Sequence, residues 1–303
     1  MLTHALDVYL RVRRAAGFDL GMPEVLLRSF VRFAQERGEV HVQTQTAITW
    51  AALAPSPGQR EHRLQTVVRF ARSARAEDAR HEVPPRGMFG HHRQRHVPFI
   101  FTPAEMSRLI QAASQLGPAG SLRPHVYSTL FALLAATGLR ISEALRLRLA
   151  DVTPDGLLIQ HTKFQKSRLV PLHDTATAAL ERYLERRRRE GGGDDHVFIS
   201  LRGQRLPYCL VYDTFRALLD TIRLHPSSGR PRPRLHDLRH TFAVRSLEAC
   251  PDGRDRIGQH MLALSTYLGH THVADTFWYL ESTPQLTADI ANACEHFVKG
   301  ETS

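Results

Sequence analysis

Apolar residues recur at threes and fours along most of the chain, with arginines filling the polar positions between them. Over residues 2–16, 23–37 and 60–75 this spacing predicts helices, and Leu64, Val67, Val68, Phe70 and Ala71 mark one face of the third. The stretch 82–96 (EVPPRGMFGHHRQRH) breaks the pattern with paired prolines and two glycines, and reads as a positively charged linker. A domain boundary is therefore expected near residue 97. Beyond it, Thr102-Pro103-Ala104-Glu105 has the form of a capping box with proline at the first helical position, so a helix is predicted over 106–113. Further helices are predicted over 125–136 and 141–148. The period then changes: Gly156, the stretch 157–163, a polar turn over 164–167 and a second stretch over 168–172 read as a β-hairpin. Helical spacing returns over 175–189, stopped by Gly191-Gly192-Gly193, and again over 208–222, 236–248, 255–267 and 273–281. A last apolar face, made by Leu286, Ile290, Ala293, Cys294 and Phe297, follows Thr283-Pro284. There is no internal repeat. The expected fold class is mainly α with a small antiparallel β-sheet, in two domains: helical over 1–96, and 97–303.

Length supports two domains, since 303 residues exceed the roughly 100–200 of a typical single one. With 42% hydrophobic and 23% charged residues, the composition argues against disorder. No apolar run approaches the roughly 18–20 residues of a membrane span, and residues 1–14 lack a signal-peptide stretch, so a cytoplasmic location is expected. Cys209, Cys250 and Cys294 are widely spaced and odd in number, which fits neither a disulfide framework nor a paired-cysteine metal site. Charge narrows the choice of partner: 40 Lys+Arg against 30 Asp+Glu gives +10, and a pI near 10.1 favours a polyanion such as nucleic acid. Lysine occurs only at Lys163, Lys166 and Lys299, so 40 minus 3 leaves 37 arginines. A position that keeps lysine in such a chain points to a need for a transferable proton.

Phosphate-binding loops, zinc-protease and serine-hydrolase motifs are absent. Instead a series of segments occurs in fixed order: Thr137-Gly138-Leu139-Arg140-Ile141-Ser142-Glu143; Lys163-x-x-Lys166-x-Arg168-x-Val170-Pro171; His236-x-x-Arg239; Leu268-Gly269-His270; and Tyr279, nine residues after His270. Attack on a phosphodiester needs a nucleophile, a proton donor for the leaving oxygen, and fixed positive charge at the non-bridging oxygens. Arg140 and Arg239 can supply planar, permanently charged contacts, and Tyr279 an oxygen nucleophile, whose ordinary pKa near 10 calls for a proton acceptor and positive surroundings.

In this order the segments resemble the tyrosine recombinases, the integrases of the phage lambda type. The resemblance covers the catalytic domain over 97–303, and residues 1–96 are similar in position and helicity to the family's core-binding domain. It implies a two-domain clamp around double-stranded DNA, and site-specific cutting and rejoining through a 3′-phosphotyrosine on Tyr279. Lys163 then resembles the general acid for the 5′ leaving oxygen, with Lys166 the alternative. His236 and His270 resemble the two active-site histidines, one assisting proton removal and the other donating to phosphate. Glu143 matches an acid that orients the site and would be equally at home as a surface acid. His240 matches no catalytic position and reads as structural. The turn departs from the family at Phe164 and Gln165, and in this it looks more like integrases of transposon-type mobile elements. The resemblance further implies no cofactor and no metal, a tetramer assembled on DNA with the C-terminal segment passed to a neighbouring protomer, and in some systems sister recombinases. The His91, His92 and His96 cluster and the His236 and His240 pair are poor zinc sites, the second for want of an intervening glutamate. Three other readings remain: an accessory DNA-binding subunit that has lost catalysis, an enzyme like the type IB topoisomerases, and a metal-dependent nuclease, for which the motifs lack clustered carboxylates.

Overall fold

A computed structural model describes residues 1–90, 97–160, 167–190, 193–225, 231–249, 257–269 and 276. Two compact units emerge, Met1–His96 and Val97–Ser303. In the first, α1 (Leu2–Ala15), α2 (Gly21–Gln35), α3 (Thr44–Ala52) and α4 (Pro57–Glu77) turn their apolar faces onto one core. Phe30 meets Trp50 edge-on at 5.5 Å, and Tyr9 meets Phe70 at 5.6 Å. Helix α4 begins where Ser56 accepts a hydrogen bond from the Gln59 N–H and Pro57 opens the first turn. Helix α3 is not predicted by the apolar spacing: it is short and rich in β-branched residues, which lowers its intrinsic propensity. Burial of Ala47, Trp50 and Ala51 holds it in place.

The stretch expected to be a linker is, as far as residue 90, part of the first unit. Val83 and Phe89 pack on the helical core, Glu82 Oε2 accepts from the Thr44 N–H at 2.7 Å, and Glu61 Oε1 accepts from the Gly87 N–H at 3.1 Å. Prolines forbid helix here, yet they leave apolar side chains free to pack.

In the second unit, α5 (Pro103–Ser114) carries the expected capping box: Thr102 Oγ1 accepts from the Glu105 N–H, and Glu105 Oε2 from the Thr102 N–H. Helix α6 (Arg123–Thr137) is buried through Val126, Leu130, Phe131, Leu133 and Leu134, and α5, α8 (Asp174–Glu190) and α10 (His236–Glu248) surround it. Helix α7 (Ile141–Ala144) is a single turn rather than the helix expected as far as Arg148. Segment 195–199 takes its backbone groups instead: the Leu149 N–H donates to Asp195 O at 2.8 Å and the Val197 N–H to Leu147 O at 2.7 Å. A 3₁₀ turn (Leu149–Asp151) leads into a sheet of three antiparallel strands in the order β1 (Val152–Thr153), β2 (Gly156–Ile159), β3 (Arg168–Val170). Its register places Leu157 opposite Val170 and Ile159 opposite Arg168. The fold is thus mainly helical with one small antiparallel sheet, as expected, with β1 an addition. Helices α9 (Tyr208–Thr221) and α11 (Ile257–Leu268) complete the described elements. The helix expected over 273–281 and the tail face from Leu286 to Phe297 lie outside the described residues, Thr276 apart.

Candidate active site

Helix α10 places His236 and Arg239 three residues apart at its start, so the two side chains share one face. Arg239 is only 2% exposed. Its Nη1 donates to Gly138 O at 2.7 Å and its Nη2 to Leu268 O at 2.8 Å. Arg140 repeats the arrangement a few residues along both segments, donating from Nη2 to Gly269 O at 3.3 Å. Two guanidiniums therefore tie the turn after α6 to the turn after α11. Gly138 makes the first turn possible: it ends α6 at φ 61°, and a Cβ there would lie 2.4 Å from Phe242 Cδ1. A buried guanidinium keeps its charge because it does not deprotonate in proteins, and the carbonyl bonds offset its desolvation.

Glu143 organises the open side. Its Oε1 accepts from Arg140 Nη1 at 2.8 Å and its Oε2 from the Arg140 N–H at 3.0 Å. Arg168, at the start of β3, adds a two-pronged contact, Nη1 to Oε1 at 3.1 Å and Nη2 to Oε2 at 2.8 Å. Burial works to raise the Glu143 pKa, but the hydrogen bonds and charge of Arg168, joined by those of Arg140, outweigh it and hold the carboxyl at about 2. Glu143 is therefore a largely buried, ion-paired acid rather than a solvated surface one. The sequence patterns assign Arg168 no role of its own, although it stands within the Lys-x-x-Lys-x-Arg-x-Val-Pro series.

The His236 ring retains solvent access. Crowding by the surrounding protein and the charges of Arg239, Arg140 and Arg234 nevertheless push its pKa down to about 4, against a smaller pull from Glu143. It is therefore a neutral imidazole near pH 7, able to accept a proton. His240 is buried with its ring edge against His236, the centroids 4.6 Å apart, and serves as packing. Tyr267 stacks on Phe242 at 5.6 Å, and burial raises its pKa. That is the wrong direction for an activated nucleophile. Beside Glu143 opens a cavity of about 480 Å³, lined in part by Arg146, Arg148 and Arg205. Among the described residues, metal-like spacing occurs at Asp194, Asp195 and His196. Both Asp194 oxygens already accept from backbone, Oδ1 from the His196 N–H and Oδ2 from the Arg205 N–H, each at 2.8 Å, so this group shapes its own loop. Of the six candidate site residues, Arg140, His236 and Arg239 are brought together; Lys163, His270 and Tyr279 lie outside the described residues, as does Lys166.

A helical unit with a three-stranded antiparallel sheet, and paired guanidiniums clamping two turns, defines the class of the tyrosine recombinase catalytic fold. The same fold occurs in the Tn1549 transposon integrase in complex with transposon right end DNA (TM-score 0.64, 16% identity, 91% of this chain and 94% of that one). It occurs also in a lambda integrase dimer bound to a COC′ core site (TM-score 0.62, 18% identity, 92% and 77%). The phage integrase family matches residues 100–285, more than half of the sequence, and the chain belongs to that family. Relatives include the Sinorhizobium fredii protein y4rB, whose name carries the class integrase/recombinase, at 38% identity over 96% of both chains. The tyrosine recombinase XerD of Caulobacter vibrioides is 32% identical over 74% of this chain and 70% of its own length. Among the described residues no helix is long and apolar enough to cross a membrane.

Proposed function

We propose that this chain is a site-specific DNA recombinase that cuts and rejoins double-stranded DNA through a 3′-phosphotyrosine on Tyr279, acting for a mobile element. The observation that carries the reading is the convergence of Arg140, Arg239 and a neutral His236 on the two turns joined by the guanidiniums, the second of which runs directly into His270. Arg140 and Arg239 hold the scissile phosphate and stabilise the charge that develops on it. His236 receives the tyrosine proton, His270 donates to a phosphate oxygen, and Lys163 protonates the 5′ leaving oxygen. The phosphoester bond energy is kept in the tyrosine adduct, so the reaction calls for neither a nucleotide cofactor nor a divalent ion. Residues 1–96 form the core-binding half and 97–303 the catalytic half of a DNA clamp, and four protomers assemble to pair two sites. The recombinase reading draws support from the likeness to y4rB, an integrase/recombinase by name, over 96% of both chains, and the mobile-element assignment from the fold shared with the Tn1549 transposon integrase.

The test is covalent trapping on a nicked duplex carrying the sequence that the purified protein enriches from a random DNA pool. Tyr279→Phe should bind that duplex as the wild type does and give no protein–DNA adduct on a denaturing gel, and EDTA should leave the wild-type adduct intact. Failure of the wild-type protein to form any adduct would favour an accessory DNA-binding role instead.

A further inference from the structure

Glu143 faces more cations than one carboxylate can neutralise, and their arrangement assigns a role to Arg168, a motif residue with no catalytic assignment of its own. Glu143 receives four donors: both Nη atoms of Arg168, and Nη1 and the backbone N–H of Arg140. The Glu143 and Arg168 side chains are only 9% and 13% exposed, whereas Arg140 keeps 34% of its side chain open to solvent. One negative charge thus faces two positive ones. The buried cation takes up the carboxylate through the better fork, and the exposed one retains charge to offer a ligand. Arg168 is also fixed from the other side. It lies against Gly269, where a Cβ would stand 2.8 Å from its Nη1, and the carbonyl of that same glycine accepts from Arg140. Along the chain it opens β3, paired in register with Ile159, five residues after Lys163.

We propose that Arg168 is a positioning residue for DNA cleavage: it absorbs the charge of Glu143 so that Arg140 stays available to the scissile phosphate, and it pins the hairpin strand to the turn that precedes His270. This rests on the recombinase reading above. Without Arg168, Glu143 closes on Arg140 alone, and a cation aimed at phosphate becomes half of a neutral ion pair.

The experiment measures single-turnover adduct formation on the nicked duplex, DNA affinity and melting temperature for wild type, Arg168→Gln, Arg168→Lys and the double variant Arg168→Gln/Glu143→Gln. Arg168→Gln should slow adduct formation by about 100-fold, the scale of losing one electrostatic contact to a transition state, with DNA affinity within about threefold. Removing the carboxylate as well should restore about tenfold of that loss, because the second change frees Arg140, and Arg168→Lys should lie nearer wild type because it keeps the charge. A double variant no faster than Arg168→Gln, an Arg168→Gln rate equal to wild type, or a loss confined to DNA affinity would overturn the proposal. Should Arg168→Gln not fold, the double variant decides: a rate within about tenfold of wild type supports the proposal, and one about 100-fold below it overturns it. If wild type itself forms no adduct, the recombinase reading has failed first.

Discussion

Asp237 lies between His236 and Arg239 in sequence but is fully buried. Its Oδ2 accepts from the Arg234 N–H at 2.8 Å, and the Arg234 Nη2 cation stays 3.8 Å from Oδ1. Burial raises its pKa from the ordinary 3.8 to about 6, against the lowering effect of Arg234 and of a backbone hydrogen bond from Phe99. An acid whose folded pKa is raised favours folding in its protonated form. That contribution is complete below pH 3.8 and is lost as pH rises through about 6. Asp237→Asn keeps an oxygen acceptor for the Arg234 N–H and removes the penalty. Its melting temperature should match or exceed that of wild type at pH 8, and the difference between the two should shrink steadily as pH is lowered to 4. Thermal melts across this range check it; a deficit of the variant that grows as pH rises would mean that the carboxylate is worth more than its desolvation costs.

At the scale of elements, the join between α6 and α7 carries the most. Helix α6 must stop at Gly138 for its carbonyl to meet Arg239 and for Arg140 to emerge two residues later beside Glu143. Gly138→Ala combines a left-handed backbone with a Cβ only 2.4 Å from Phe242 Cδ1. The backbone alone costs on the order of 1–3 kcal/mol, and the clash adds to it, so denaturant unfolding should show at least that loss. Adduct formation should fall further than stability does, since the displaced carbonyl releases the Arg239 guanidinium. A Gly138→Ala protein as stable as wild type would show that the α6 terminus can shift without strain.

The two units have separate hydrophobic cores, one built on Phe30, Trp50 and Phe70 and the other on Phe99, Phe131 and Phe215. Residues 1–96 contribute 15 arginines against 9 acids, a net +6 of the total +10. If both halves hold DNA, expression of residues 97–303 alone should give a folded unit that binds the selected duplex more weakly. Its plot of log affinity against log salt should also be shallower, by about 0.9 for each phosphate that the first unit contacts. Fluorescence anisotropy at several salt concentrations measures both, and an unchanged slope would remove residues 1–96 from the DNA interface.

Features that depend on neighbours along the chain were legible without coordinates. The 3.6-residue apolar faces placed α1, α2, α4, α6, α8, α9 and α10, and the Thr102 to Glu105 box placed the start of α5, because hydrophobic period and capping are local properties. The family resemblance carried by the motifs in their order implied that Arg140, His236 and Arg239 belong to one site. Contacts distant in sequence account for the rest. Helix α7 stops after one turn because segment 195–199 competes for its backbone, α3 persists against its propensity because its apolar face is buried, and residues 82–90 fold back onto the first core. The ion cluster belongs to the same class: Glu143 and Arg168 are 25 residues apart, and nothing in either local pattern states that one carboxylate will be shared by two guanidiniums. That sharing arises because the fold brings the start of β3 beside Glu143, and largely buried charges must find partners wherever the fold brings them.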